Sequence, residues 1–413
     1  MSILIYLIGI SMILYSIWLI IITRKLFKKS DYIIENNLND KELVIVIPCY
    51  KEENIIIDTI KHFENNFKNV KIVIITTSKE NNNGINPTSN IVDKYIKDTN
   101  KRNIYLVNYP KNNGYMADQL NYFLKNIRKF INFENDIDDN NLYIGLYNAD
   151  SRPNKNTYNE IVYHLNNSNK SVLQQYSYGF LNYDNINFLL KGFAIYQSNF
   201  EFKTGILNSQ LENNFLYKHV VGHGLIINID TLKRIDYFNT KFWCEDIYMT
   251  MQLKTLGIRI NSLNTLEIME TPDKLSKLIK QNSVWFKTTS QYIKIYNDLR
   301  RRYGFSMRLF NACFNEFRCA INWLFFPLVI LFTLIYPIIY KNLYLFVFSL
   351  LYYIIYIFIN LIITIKIINK LDNKSYEISF KNFISLFVAT IISNVGPLYS
   401  LIFNKKEKYK TER

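Results

Sequence analysis

Residues 2–22 carry no charged side chain. Three stretches near the other end, 322–340, 343–366 and 383–404, are almost as free of charge. A hydrocarbon core about 30 Å thick takes about 20 residues of helix. A chain built this way is expected to be anchored in a membrane at both ends, with a separate domain between the anchors. The overall apolar share of 49 % averages over this split.

Charge sets the expected orientation. Arg24, Lys25, Lys28 and Lys29 follow the first apolar run at once. The positive-inside rule then places residue 24 onward in the cytoplasm. The run has neither leading positive charges nor a small-residue cleavage site, so residues 1–23 read as an anchor and not a signal peptide. Lys341-Asn342 is expected to close a tight hairpin between two spans, and Lys366, Lys370 and Lys374 to mark its cytoplasmic return. The stretch 383–404 is interrupted by Ser393-Asn394-Val395-Gly396-Pro397. As a full span it would put the basic tail, 405–413, outside. As a re-entrant or interfacial segment it keeps the tail inside, and that is the expectation. The chain reads as a multi-pass protein of the cell membrane with a cytoplasmic central domain.

The formal charge is +15 over 413 residues. Much of it lies in runs beside apolar segments, Arg24 to Lys29 and Lys405 to Lys410. That placement suits lipid headgroups and argues against nucleic acid as a partner. Cys49, Cys244, Cys313 and Cys319 have no metal-ligand spacing, and His62, His164 and His219 form no zinc cluster.

The middle of the chain, 42–290, alternates strand and helix. All-apolar runs at Leu43–Ile47, 71–76, Ile104–Val107 and Leu142–Tyr147 read as strands of a parallel sheet covered on both faces. Between them Glu52–Phe67, Ile91–Lys97 and Ala117–Phe130 read as helices, which makes right-handed βαβ units. Strands are further expected at 172–180, Leu225–Ile229 and Ile258–Ile260. Helices are expected through 186–218, Ile247–Leu256 and Leu275–Trp285. The polar stretches 31–41 and Asn81–Gly84 read as linker and loop. No Gly-x-Gly-x-x-Gly is present, which argues against a dinucleotide fold. Tyr292–Tyr303, within an interfacial region 291–320, has basic and apolar residues spaced as on an amphipathic helix at a membrane surface. Residues 321–404 form the C-terminal membrane region.

Within this frame a few residues could carry chemistry. Asp150 follows the strand Leu142–Tyr147, in NADS, and a carboxylate there faces the crevice where an open α/β sheet binds ligand. It could equally belong to an Asx turn. Glu245-Asp246 precede a helix, as general-base candidates or as plain partners of the helix dipole. His223 lies between Gly222 and Gly224 at a strand entrance, as a ligand-binding or a turn residue.

Taken together, VIVIPCYKEEN (44–54), NADS (148–151), CED (244–246) and QNSVW (281–285) resemble the cytoplasmic domain of membrane-bound family 2 glycosyltransferases, the group of cellulose, chitin, hyaluronan and poly-N-acetylglucosamine synthases. The resemblance implies the nucleotide-sugar-binding GT-A fold, a mostly parallel sheet with helices. It implies an inverting transfer from a nucleotide sugar, in the first place a UDP-sugar, to a glycan or lipid-linked acceptor. Asp150 matches the second acid of the family's Asp-x-Asp and Asn148 stands at the first, so both are implied ligands of Mg²⁺ or Mn²⁺. Asp246, helped by Glu245, is the implied general base. Pro48, Tyr50, Glu52, Asn113, Gly114, Asn148 and Asp150 are implied to hold the donor; His223, Gln281 and Trp285 the acceptor. Four departures stand out. Asn148 lacks a charge, Tyr115 replaces a lysine, no aspartate follows the second strand, and Val284 stands where the family has an arginine, which Lys287 or another cation would have to replace. They support the alternative of a catalytically degenerate relative that assists a true synthase. Polymer synthesis and single addition both stay open, and oligomeric state is not legible.

Overall fold

The computed structural model describes residues 1–28, 37–82, 87–133, 136–168, 170–209, 211 and 219–403. The basic tail, most of the 31–41 linker, residues 83 and 84 of the Asn81–Gly84 loop and the 212–218 end of the expected helical stretch lie outside the described residues.

The chain opens with α1 (Ser2–Lys28), then enters the central domain through β1 (Glu42–Pro48), α2 (Ile56–Asn66), β2 (Lys71–Thr77), α3 (Thr88–Thr99), β3 (Ile104–Tyr109), α4 (Met116–Leu124), α5 (Ile127–Phe130) and β4 (Leu142–Leu146). These four strands pair in parallel in the order β3-β2-β1-β4. Their all-apolar character has a direct cause. Val44, Val46, Val73 and Ile75 face α4, while Leu43, Ile45, Ile47, Ile72 and Ile74 face α2, so successive side chains enter two different cores. Each fully buried aliphatic side chain contributes about 1.5–3 kcal/mol. Gly145 pairs with Ile45 across the β1–β4 ladder, and a Cβ there would stand 2.7 Å from the Ile45 side chain.

Several boundaries differ from the sequence reading. The first helix begins at Ile56 and not Glu52, because Lys51 takes a positive φ and Glu52–Ile55 form a turn. The helix expected at Ala117–Phe130 breaks at Lys125-Asn126. After β5 (Arg152–Pro153) and α6 (Thr157–Asn167), the strand expected at 172–180 splits into β6 (Val172–Gln174) and β7 (Ser177–Tyr178), which belong to different sheets. The split falls at Gln175, whose buried amide accepts from the Tyr147 hydroxyl at 2.9 Å and donates to Thr157 at 2.8 Å.

Next come α7 (Phe188–Glu201), continued by a π-helical turn over Phe202–Leu207, then β8 (Leu225–Asn228), α8 (Ile229–Arg234), α9 (Glu245–Thr255), β9 (Asn261–Ser262), β10 (Glu267–Ile268) and α10 (Leu275–Lys287). The strand expected at Ile258–Ile260 therefore lies slightly later. The large sheet runs β3-β2-β1-β4-β8-β6-β9, with β8 antiparallel to both neighbours, and the small sheet runs β5-β10-β7.

The helix α11 spans Tyr292–Tyr303. Its Tyr292, Ile295 and Leu299 are buried in a cluster with Tyr248, Met251 and Leu309, while Ile293 is exposed. Leu309 belongs to α12 (Met307–Ile339), one continuous helix that runs through the boundary placed at 320/321. A turn at Lys341-Asn342 joins it to α13 (Leu343–Leu371), as the sequence implied; Lys341 has φ 51° and the Asn342 side chain caps the new helix. The last apolar stretch is two helices, α14 (Phe380–Ile391) and α15 (Val395–Ile402). Four segments, Ser2–Phe27, Met307–Ile339, Leu343–Leu371 and Phe380–Ile402, are long and apolar enough to cross a membrane.

Both final helices dock on the central domain. A Cβ at Gly192 of α7 would meet the Ser385 carbonyl of α14 at 2.1 Å, and one at Gly396 of α15 would meet Asn282 of α10 at 2.4 Å. Only glycine allows such approach. Asp372, at the end of α13, accepts from the Tyr178 hydroxyl on β7 and from the Asn154 amide just after β5, which ties the hairpin to the small sheet.

Candidate active site

Because β1 and β4 are parallel neighbours, their carboxyl ends deliver Pro48 and Asn148 to the same edge of the sheet. Beyond β4 the chain turns at once. Asn148 N–H donates to the Ser151 hydroxyl at 2.9 Å, and Ser151 N–H donates back to the Asn148 carbonyl at 3.1 Å. Asp150 sits inside this turn, 3 % exposed.

The loop after β1 is held by a residue that sequence reasoning passed over. Glu80 accepts from the backbone N–H of Lys51 at 3.0 Å and of Thr88 at 2.7 Å. Thr88 in turn accepts from Glu52 N–H at 3.1 Å. The acid that follows β2 is thus used to shape the Tyr50–Glu52 loop. Glu52 itself is buried. Farther along the same edge, Gly114 takes φ 103°, a conformation that a side chain disfavours. Lys79 donates to the Gly114 carbonyl, and its ammonium lies 5.2 Å from the Tyr115 ring centre. Asn113 is exposed beside it.

A cluster of ionisable groups occupies the neighbouring region. His223 is buried, and its Nδ1 lies 3.1 Å from Glu267 Oε2 on β10. Burial opposes a charged ring, but Glu267, with Glu201 and Asp150 farther off, outweighs it and raises His223 to about 9. The turn that carries His223 is clamped by β6: Gln174 donates to the His223 carbonyl at 2.8 Å and accepts from Val221 N–H at 3.0 Å. Asp246 begins α9. Its Oδ1 accepts from Ile247 N–H at 2.8 Å, and its Oδ2 would lie 3.9 Å from a Cβ at Gly222. Burial, and then the adjacent Glu245 carboxylate, push Asp246 up to about 7. Glu201, at the end of α7, is raised to about 7 as well, by burial first and then by Asp246 and Glu267, against the pull of His223.

Gln281 and Trp285 lie on α10. Gln281 reaches a cavity between α7, the small sheet and α10, whereas Trp285 is 37 % exposed. Lys287, on the same helix, holds its ammonium 3.9 Å from the centre of the Trp243 ring, next to the Cys244-Glu245-Asp246 segment.

His223 lies within electrostatic reach of Asp150 and Asp246, and Glu267 and Glu201 stand beside it. Their signal was weak: an acid in the apolar run LEIM, and another at the end of an apolar helix. Among the described residues, no group of three or more His, Cys, Asp or Glu side chains is arranged to hold a metal ion.

A mostly parallel sheet with acids gathered at its carboxyl edge and a small second sheet beside it is the architecture of a GT-A transferase domain. The family model described as glycosyl transferase family group 2 matches residues 143–365, from β4 into α13. The chain belongs to that family and is a glycosyltransferase. No curated protein matches it. Among solved structures it is similar to the mannosyltransferase PcManGT from Pyrobaculum calidifontis, determined in complex with GDP-Man and Mn²⁺, at 12 % identity and TM-score 0.54 over 98 % of this chain and 99 % of that one. A weaker likeness, at TM-score 0.40 and 13 % identity over 88 % and 92 % of the two chains, is to residues 1–349 of TarS from S. aureus.

Proposed function

We propose that the chain is an inverting glycosyltransferase. It moves a sugar from a nucleotide sugar to a glycan or lipid-linked acceptor at the cytoplasmic face of the cell membrane. The observation that carries this reading is the place of Asp246, in the first turn of α9 with its Oδ2 3.9 Å from where a Gly222 Cβ would stand, next to the His223 turn; burial and Glu245 also raise its carboxyl pKa. A general base works best with a pKa near the operating pH. The acceptor oxygen attacks the anomeric carbon, and its proton passes to Asp246. The bond from that carbon to the diphosphate oxygen breaks, and its electrons leave with the nucleoside diphosphate. One base and no enzyme nucleophile suffice for such a displacement.

Asp150 and Asn148 offer hard oxygen donors in a buried turn on the donor edge. A single carboxylate and a carbonyl fit Mg²⁺ or Mn²⁺, which complete their shell with substrate phosphates and water. When bound, the ion would neutralise the diphosphate. The Pro48–Glu52 loop, with Asn113 and Gly114, is placed to hold the nucleotide. Lys287 stands in for the arginine missing at Val284, since its ammonium lies beside the segment leading into Asp246. His223, Gln281 and Trp285 hold the acceptor. The docking of α14 and α15 on α7 and α10 supports a re-entrant or interfacial last segment. PcManGT was captured with GDP-Man, so GDP-sugars join UDP-sugars as donors to try.

The test is nucleotide release by the detergent-purified chain from UDP- and GDP-sugars, with Mg²⁺ or Mn²⁺. Release that depends on donor and acceptor supports transfer. Nucleotide binding without release from any donor would favour the degenerate-relative reading, which Asn148 and Val284 motivate.

A further inference from the structure

Resting on the sugar-transfer reading, we propose that the cavity between α7, the small sheet and α10 is an acceptor subsite. In it Glu201 binds a hydroxyl group of the acceptor sugar.

The cavity is lined by Ser177, Ser198, Glu201, Thr271 and Gln281, among others. The cavity takes about one water-sized group, room for a hydroxyl and not for a sugar ring. Two acceptor atoms on the wall have no donor, although the Gln197 amide and the Ser177 hydroxyl also line it. Glu201 is nine-tenths buried, and its Oε2 has no hydrogen-bond partner; the Gln281 Oε1 is in the same condition. The two hydroxyls whose bonds are defined are already spent: Ser198 donates to the Ala194 carbonyl at 2.7 Å and Thr271 to the Gly179 carbonyl at 2.8 Å. A buried acceptor left without a donor costs about 1–3 kcal/mol, more when charged. A ligand group that donates would recover that cost. Glu201 and the neighbouring Glu270 repel a phosphate, so the ligand chemistry is a sugar hydroxyl and not a diphosphate.

Position separates this subsite from the donor edge. Glu201 is close enough to Asp246 and His223 for their charges to act on it. It terminates α7, whose Asn199 donates to Thr364 of α13 at 2.8 Å. The opposite wall, α10, is braced by α15. The cavity therefore lies where the central domain meets α13 and α15.

The experiment uses the full detergent-purified chain. Methyl glycosides of glucose, mannose, galactose and N-acetylglucosamine are titrated calorimetrically with UDP or GDP present, and nucleotide affinity is measured in parallel. At least one glycoside should bind. Glu201→Ala and the isosteric Glu201→Gln should weaken that glycoside tenfold or more, and Gln281→Ala by a smaller factor, with nucleotide affinity unchanged. Equal glycoside affinity in Glu201→Gln overturns the subsite, and so does nucleotide binding with no glycoside binding in the parent chain. Failure of the parent chain to bind any nucleotide would instead overturn the sugar-transfer reading on which the subsite rests.

Discussion

Two buried glutamates in this domain behave in opposite ways. Glu160, on α6, accepts from the backbone N–H groups of Asn264 and Thr265, each at 2.7 Å, and has His164 beside it. Burial alone would raise its pKa; these partners outweigh burial and hold it below the usual carboxylate value. Glu201 is as buried, has no such donors at Oε2, and rises to about 7. Glu80 belongs with Glu160, since two backbone N–H groups fill it. Asp246 shares the upward shift of Glu201 but takes one backbone donor, from Ile247. Glu160 and Glu80 are satisfied by backbone N–H groups, while Glu201 keeps an oxygen without a donor. Burial by itself does not distinguish the two groups; the donors do.

The comparison breaks first at Asp246. If it is a base and not a helix partner, Asp246→Asn should slow transfer by a factor of about 10²–10⁴ at unchanged donor affinity. That corresponds to roughly 3–5 kcal/mol of barrier. In the parent enzyme kcat/KM should rise with pH and level off above about 7. As a mere helix-dipole partner Asp246 would contribute about 0.3–1 kcal/mol to stability, and its replacement would leave transfer nearly intact. Initial rates beside donor binding decide between them.

Asp150→Ala tests the donor edge. It should abolish the divalent-dependent part of nucleotide-sugar binding, read by calorimetry on folded protein with and without Mg²⁺ or Mn²⁺. Asn148→Asp should strengthen that part if both residues face one ion.

The two glutamates give the smallest effects and the sharpest contrast. Glu160→Gln leaves a backbone donor unfilled and should destabilise the chain by roughly 1–3 kcal/mol at neutral pH. Because its folded pKa is depressed, the native contribution of Glu160 is present above the ordinary value of 4.5 and is lost as pH falls below it. Glu201 has the opposite sign. Its pKa is raised, so holding it ionised weakens the fold progressively as pH climbs from 4.5 to about 7. Glu201→Gln should therefore gain stability over the parent across that window, by at most about 3 kcal/mol. Thermal unfolding at pH 4.5 and pH 8 measures both. Parallel pH behaviour of the two variants would end the distinction.

Much of the fold was open to reading along the chain. The inner positions of the first four strands are apolar because both faces are covered, and that pattern is local. The anchors and the Lys341-Asn342 turn are local in the same sense. Asp150 and Asp246 could be singled out along the chain because one follows a strand and the other lies in the first turn of a helix. The amphipathic stripe of α11 was legible as a stripe, but the protein elements that cover its buried residues were not. Periodicity reports which face is buried but not what covers it, and here α9 and α12 do.

What sequence determined by itself was therefore set by near neighbours: hydrocarbon length, strand and helix period, charge beside the anchors, and acids at element ends. The partnerships of Glu201, Glu267 and His223 were decided only by tertiary structure. His223 and Glu267 are 44 residues apart, and they meet because β10 pairs with β7 and the Gly222–Gly224 turn is clamped by Gln174. Glu201 joins them because α7 lies against β7 on one side and is held by α13 and α14 on the other. No local pattern encodes a carboxylate's pKa when the donors or charges that set it arrive from elements elsewhere in the chain.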